Sequence, residues 1–161
     1  MAADVDGAPL LMTVEARIGV TGSPDKLVLL PSETDWVPMG MHDELAAFYG
    51  ADPDSVTPHA STLDYIVGAL GACLGGTFKR ALAARGVDFA PDDLETVATG
   101  RIVVVRDVPV IESVVVRSVL RGVRDEDRPS AERAHAVHHR ACAVSRSLEG
   151  AFAISTELNF E

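Results

Sequence analysis

The sequence predicts a mixed fold of strands and helices built around one central helix. Three features carry that prediction. Ser61 to Arg85 is apolar or small for nearly all its length, which is too long for a strand. Leu94 to Arg106 and Ile111 to Leu120 are rich in Val and Ile, the pattern of two long strands. Phe152 to Phe160, FAISTELNF, alternates apolar and polar residues, as a half-buried strand does.

Taken in order, Met1 to Leu11 is expected to be a loose tail. Met12 to Val20 alternates in part and predicts a strand, Thr21 to Asp25 a turn, and Lys26 to Leu30 a second strand, giving an opening hairpin. Residues 31–60 differ. They are acidic and hold four of the nine prolines, together with Trp36, Phe48 and Tyr49. His42 to Gly50 predicts a short helix ended by its glycine. The segment as a whole is expected to be either a lid or a packed surface excursion.

The central helix has both its ends marked. Thr57-Pro58 biases the chain away from helix before it. Ser61 is the expected N-cap, with Asp64 three residues on as a short version of the capping box. Lys79, Arg80 and Arg85 place positive charge near the C-terminal end, and Gly86 follows. Inside it, Gly68, Gly71, Gly75 and Gly76 each cost roughly 0.5–1 kcal/mol relative to alanine. Such a cost calls for a return, and close approach of another element to the helix backbone supplies one. Cys73 sits mid-helix. At about 100° per residue it shares a side with Ile66, Ala69, Leu70, Thr77 and Arg80. It is read either as a small buried hydrophobe or as a nucleophile.

After a turn over Val87 to Asp93 come the two long strands, joined around Val108-Pro109. Arg101, Arg106, Arg117 and Arg121 are expected to project to solvent. Pro129 is expected to open a helix that runs through Ser130 to Cys142, with Ala134, Val137 and Ala141 as its apolar stripe. From Arg128 to Arg146 four arginines face one acid, Glu132. His135, His138 and His139 lie there as well. On a helical projection Cys142 falls beside His135 and His138. Positive charge and the N-terminus of a following helical stretch, AVSRSLEG, would lower its pKa. Two other readings of this segment stand: a weak His/Cys metal set at i, i+3 or i+4, and i+7, and a solvated basic face.

Composition sets the outer limits. A chain of 161 residues with 47% apolar content predicts one globular domain with a real core. The net charge of −10 argues against nucleic acid and anionic membranes as partners. The acidic N-terminus lacks the basic region of a signal peptide, so a cytoplasmic location is the expectation. Two cysteines in such a setting suggest a transient redox bond if they pair.

Two segments, STLDYIVGALGACLGGTF around Cys73 and ACAVSRSLEG with the strand FAISTELNF around Cys142, resemble the OsmC/Ohr family of thiol-dependent organic hydroperoxide reductases. The cysteines stand 69 residues apart with two long strands between them, as in that family. The resemblance covers roughly the last hundred residues and is nearest the branch with an SPT(D/E)LLLAALGAC-type motif. It implies one α+β domain over residues 1–161, with antiparallel sheets outside long central helices in an intertwined homodimer. It implies a peroxidatic Cys73 and a resolving Cys142, with a small hydroperoxide as substrate and an external dithiol as reductant. No metal, haem or flavin is needed. Arg80, His138 and His139 are the candidate binding residues. The family's peroxidases carry a Glu ten residues before the first cysteine, where this chain has Leu63, and an Arg in the turn after the first strand, where it has TGSPDK. Ala143 replaces the proline that often follows the second cysteine. A non-enzymatic dimer that binds a small apolar ligand, with the thiols idle or sensing, is the alternative.

Overall fold

The computed structural model describes residues 7–21, 26–52 and 57–161. The chain packs as two units, Val5–Tyr65 and Ile66–Glu161.

The first unit holds a three-stranded antiparallel sheet in the order β1-β2-β3, from Arg17–Val20, Lys26–Leu29 and Val37–Met39. The strand expected from Met12 is thus only four residues long. Arg17 pairs with Leu29, so continuing the ladder backwards would bring β1 opposite Pro31, which has no N–H to give. The predicted turn over residues 21–25 falls largely outside the described residues. β3 was not expected, since residues 31–60 were read as a lid or surface excursion, and Pro38 lies in it. The strand order accounts for this: β3 is an edge, the one place in a sheet where proline is tolerated. Helix α1, Asp43–Phe48, follows within 31–60 as predicted. His42 links it to the start of the next helix, its ring nitrogens lying 2.8 Å from Asp43 Oδ2 and 2.8 Å from Asp64 Oδ2.

Helix α2, Thr62–Ala83, is the central helix. Its capping box forms as read. The Asp64 N–H donates to Ser61 Oγ at 3.2 Å, and the Ser61 N–H donates to Asp64 Oδ2 at 2.6 Å. At the far end Gly86 adopts φ +67°, and the Val87 N–H reaches back to the Leu82 carbonyl at 3.2 Å. That is a Schellman ending, completed by burial of both Val87 and Leu82. α2 has the length and hydropathy of a membrane span. Leu70, Gly71, Leu74, Thr77, Phe78 and Leu82 are nonetheless buried along one face in the protein core.

The second unit packs that face against a sheet in the order β4-β5-β6, formed by Leu94–Val105, Val108–Leu120 and Ala153–Phe160. β4 and β5 form an antiparallel hairpin whose turn is Arg106-Asp107, at φ +50° and +61°, not the Val108-Pro109 region. Two consecutive positive φ values match the twist of the strands in a two-residue hairpin. Pro109 sits inside β5 where β6 does not reach, since β6 pairs only with Ser113 to Leu120. The β5–β6 pair is parallel, so the second sheet is mixed, not antiparallel throughout as expected. A parallel return needs a crossover, and helices α3, Arg128–His138, and α4, Ala143–Ser147, supply it. Arg101, Arg106 and Arg117 are exposed, and Arg117 pairs with its register partner Glu157 at 2.9 Å. Arg121 is only half-exposed and bridges Glu95 and Glu161.

The helix glycines show what their cost returns. A Cβ on Gly71 would lie 2.8 Å from the Cβ of Ala98, and one on Gly75 would lie 3.0 Å from Thr96 Oγ1. Opposite them, a Cβ on Gly100 would lie 2.7 Å from a methyl of Val67. Positions 67, 71 and 75 therefore form one ridge, at i+4 spacing, pressed onto alternate residues of β4. Among the described residues, Gly68 and Gly76 have nothing within 4 Å of the same position. Gly71→Ala is expected to destabilise the protein by about 1–3 kcal/mol despite alanine's better helix propensity, because two Cβ atoms would overlap. Gly75→Ala should cost less, since the Thr96 hydroxyl can rotate away. Urea unfolding of the two variants beside the parent measures the difference.

Candidate functional site

The core of the second unit has two halves along α2. Phe78 and Leu82 pack with Val87, Leu120, Val123, Ala131 and Ala134, which seats α3. Leu70 and Leu74 pack with Val114, Val116 and Cys142. Cys73 lies against this second half, together with Val144 of α4. The two sulfurs, distant in sequence, thus share one apolar cluster. Both cysteines are free thiols; Cys142 is fully buried and Cys73 half-buried.

The geometry around Cys142 differs from the helical projection. α3 stops at His138, a single 3-10 turn covers His139–Ala141, and Cys142 is extended at φ −82°, ψ 112°. Cys142 is instead the N-cap of α4, with the Ser145 N–H donating to its sulfur at 3.4 Å. The chain must leave α3 before the cysteine, because α4 needs an extended residue at its start. The buried stripe of α3 is accordingly Ala131, Ala134 and His138, not Ala134, Val137 and Ala141.

The two thiols are set to opposite tasks. Burial pushes the Cys73 thiol up, but the Val144 N–H, the Cys142 thiol, the Ala143 N–H and the Arg80 charge outweigh it, and its pKa falls below the ordinary cysteine value. For Cys142, burial raises the pKa, and donating its hydrogen to Cys73 raises it further against the opposing Ser145 and Val144 N–H groups. The expectation that basic surroundings would make Cys142 the thiolate is therefore reversed. The α4 N-terminus was foreseen as an activating element for Cys142; its N–H groups reach both sulfurs, and the balance favours ionisation of Cys73. No residue-type signal marks Ala143 and Val144, whose contribution is made by the backbone. What the sequence offered was the N-cap pattern of a short helix after Cys142.

The other candidate residues are placed as follows. Arg80 is exposed, two turns beyond Cys73. His138 is buried, its ring centroid 5.1 Å from Phe78 and 5.0 Å from His135, and its Nδ1–H donates to the His135 carbonyl at 2.6 Å. His139 is exposed. Among the described residues neither His138 nor His139 hydrogen-bonds to either sulfur, and no group of three or more His, Cys, Asp or Glu side chains has metal-ligand geometry.

A family model described as OsmC-like protein matches residues 54–157. The chain belongs to the OsmC-like protein family. No curated protein sequence matches the chain. Among solved structures, the OsmC-like fold is shared with an OsmC like protein from Mycoplasma pneumoniae at TM-score 0.70 and 10% identity, covering 94% of this chain and 99% of that one. It is shared with an organic hydroperoxide resistance protein OsmC, predicted redox protein, from Legionella pneumophila at TM-score 0.69 and 12% identity, with the same coverage. It is shared also with the organic hydroperoxide resistance protein OhrB of Bacillus subtilis at TM-score 0.60 and 15% identity, covering 94% of this chain and all of that one.

Two measurements follow from the electrostatics of this OsmC-like core. Alkylation by iodoacetamide is expected to modify Cys73 well before Cys142, with a pH–rate midpoint below that of a free cysteine. Cys142→Ala should move that midpoint upward by removing a donor. Burial also lowers the pKa of His135 and His138. Their folded values lie below the unfolded value of about 6.5, so the unfolded chain binds more protons below that pH. Stability from these rings is complete above about pH 6.5 and is lost as the pH falls. His138→Gln should flatten the dependence of the urea midpoint on pH just below that value, whatever its effect on the midpoint itself.

Proposed function

We propose that the protein reduces organic hydroperoxides through a two-cysteine cycle, acting as a cytoplasmic homodimer with residues 1–161 as one functional domain. The observation that carries this reading is the shared apolar cluster of Cys73 and Cys142, in which one sulfur is biased to thiolate and the other to thiol. The Cys73 thiolate attacks the terminal oxygen of the hydroperoxide. The O–O bond breaks, the alkoxide takes a proton and leaves as an alcohol, and Cys73 becomes a sulfenic acid. Cys142 then attacks the Cys73 sulfur. Its proton leaves with the hydroxyl as water, and a disulfide forms. An external dithiol reduces that bond and is itself oxidised to a disulfide. Arg80, the side-chain cation acting on Cys73 among the described residues, is the candidate to polarise the peroxide in place of the missing Arg–Glu pair.

The names of the Legionella and Bacillus structures, organic hydroperoxide resistance proteins, support the same chemistry. The dimer is supported by the second use of glycine on α2. Gly68, Ala72 and Gly76 form an exposed small-residue line at i+4 spacing, with nothing among the described residues against the two glycines. Such a line admits a second helix at short range.

The decisive experiment follows consumption of cumene hydroperoxide with dihydrolipoamide as reductant. Cys73→Ser is expected to abolish turnover, and Cys142→Ser, treated with peroxide in the absence of the dithiol, to stop at one oxidising event per chain, its sulfenic acid trapped by dimedone. Full activity in Cys73→Ser would end the reading.

A further inference from the structure

We propose that a cavity lined by neither cysteine binds a small organic monocarboxylate with a compact apolar body. The cavity has a volume of about 660 Å³ and lies between α4, the turn that follows α3, and β6. That volume is within the range of small-ligand sites, roughly 300–1,000 Å³. Its lining has two characters. Phe152 and Ile154 of β6 give an apolar wall, while Arg140, Arg146 and His139 give a polar side on which Glu149 is the one acid. No cysteine lines it.

The guanidinium groups point to an anion. Arg140 makes no hydrogen bond or ion pair among the described residues. Arg146 has one partner there, Glu149 at 3.7 Å, well beyond the roughly 2.7–2.9 Å of a charge-assisted bond. Most other ion-paired arginines of the second unit are held more closely: Arg117, Arg121 and Arg124 by carboxylates at 2.6–2.9 Å. Two forks with unused donors on the polar side of one cavity form a receptor for a planar carboxylate. In a chain of net charge −10 the surroundings repel anions in general, so a local excess of positive charge confers selectivity. The apolar wall sets the rest of the ligand. Phe152 and Ile154 reward a flat or branched hydrocarbon body, and the volume admits one of two fused rings with room to spare. A dicarboxylate or a sugar acid would leave polar groups facing that wall unpaired.

The cavity adjoins the redox pair: Phe152 and Ile154, its apolar wall, also pack against the core cluster that holds Cys142. Ser145 lines the cavity, and the Ser145 N–H donates to the Cys142 sulfur. The proposal does not rest on the peroxidase reading, since binding is measured without turnover.

The test titrates the full-length protein with 2-naphthoate, followed by its fluorescence and by calorimetry. Saturable binding of one molecule per chain is expected, with a change in the Ser145 amide resonance. Arg140→Ala should weaken it about tenfold, the loss of one charge-assisted pair. Arg140 is exposed and its side chain makes no hydrogen bond or ion pair among the described residues, and circular dichroism checks that the variant folds. Neutral 2-naphthamide should bind about tenfold more weakly than the acid, and Arg117→Ala, on the sheet, should leave the affinity unchanged. A titration that does not saturate overturns the proposal. So does equal affinity in the parent and in a combined Arg140→Ala, Arg146→Ala variant, or equal affinity for the acid and the amide.

Discussion

The close approach of α2 to β4 is the constraint on which the rest of the second unit depends. A helix normally rides on a sheet at a distance set by its side chains. Here Gly71 and Gly75 remove them on the helix, Ala98 keeps the opposing position small, and Gly100 receives Val67. The contact surface is backbone against small side chain, so its depth cannot be adjusted by rotamer changes. That fixed depth leaves Leu70, Leu74 and Phe78 on the neighbouring face to fill the core, and it holds Cys73 at the rim, half-exposed. A larger residue at position 71 would lift the helix and with it the sulfur.

The redox pair is then tuned by very little material. Five residues of α4 and its N-cap supply every backbone donor that reaches either sulfur: Ala143 and Val144 for Cys73, and Ser145 and Val144 for Cys142. One turn of helix thereby serves two acceptors, and the division is unequal because Cys142 is both fully buried and a donor to its neighbour. Burial works against ionisation at both sites. What separates them is the Cys142 thiol, which donates to Cys73 and is held protonated by it, together with the Arg80 charge on Cys73.

Much of this was legible in residues. The capping box at Ser61, the glycine stop at Gly86 and the Val-rich strands are local signals, and local signals survive into the fold. The failures were of two kinds. Pro38 was placed in a lid or surface excursion and Pro109 in a turn, whereas each occupies a strand with one unpaired edge, a property of the neighbouring strand and not of the proline. Cys142 was projected onto a helix that had already ended, because Ala-rich sequence carries no marker for a 3-10 turn and a new N-cap. The pairing of the cysteines was expected only through family resemblance. Which of them becomes the thiolate depends in part on backbone N–H groups, which every residue but proline carries.

The parallel strand and the sulfur pair are one topological fact. After β5 the chain could have returned by a tight turn and paired antiparallel. It instead crosses over through α3 and α4 and lays β6 alongside β5 in the same direction, Ser113 opposite Ala153 through Leu120 opposite Phe160. A parallel partner must enter at the end where β5 began, so the connection has to travel the length of the sheet first. It does so beside α2: α3 covers the Phe78 half of the core, and α4 arrives at the Leu70 half. Cys142 sits at the point where the crossover reaches that half and must turn into β6. An antiparallel β6 would need no such passage, and the second sulfur would have no route to the first.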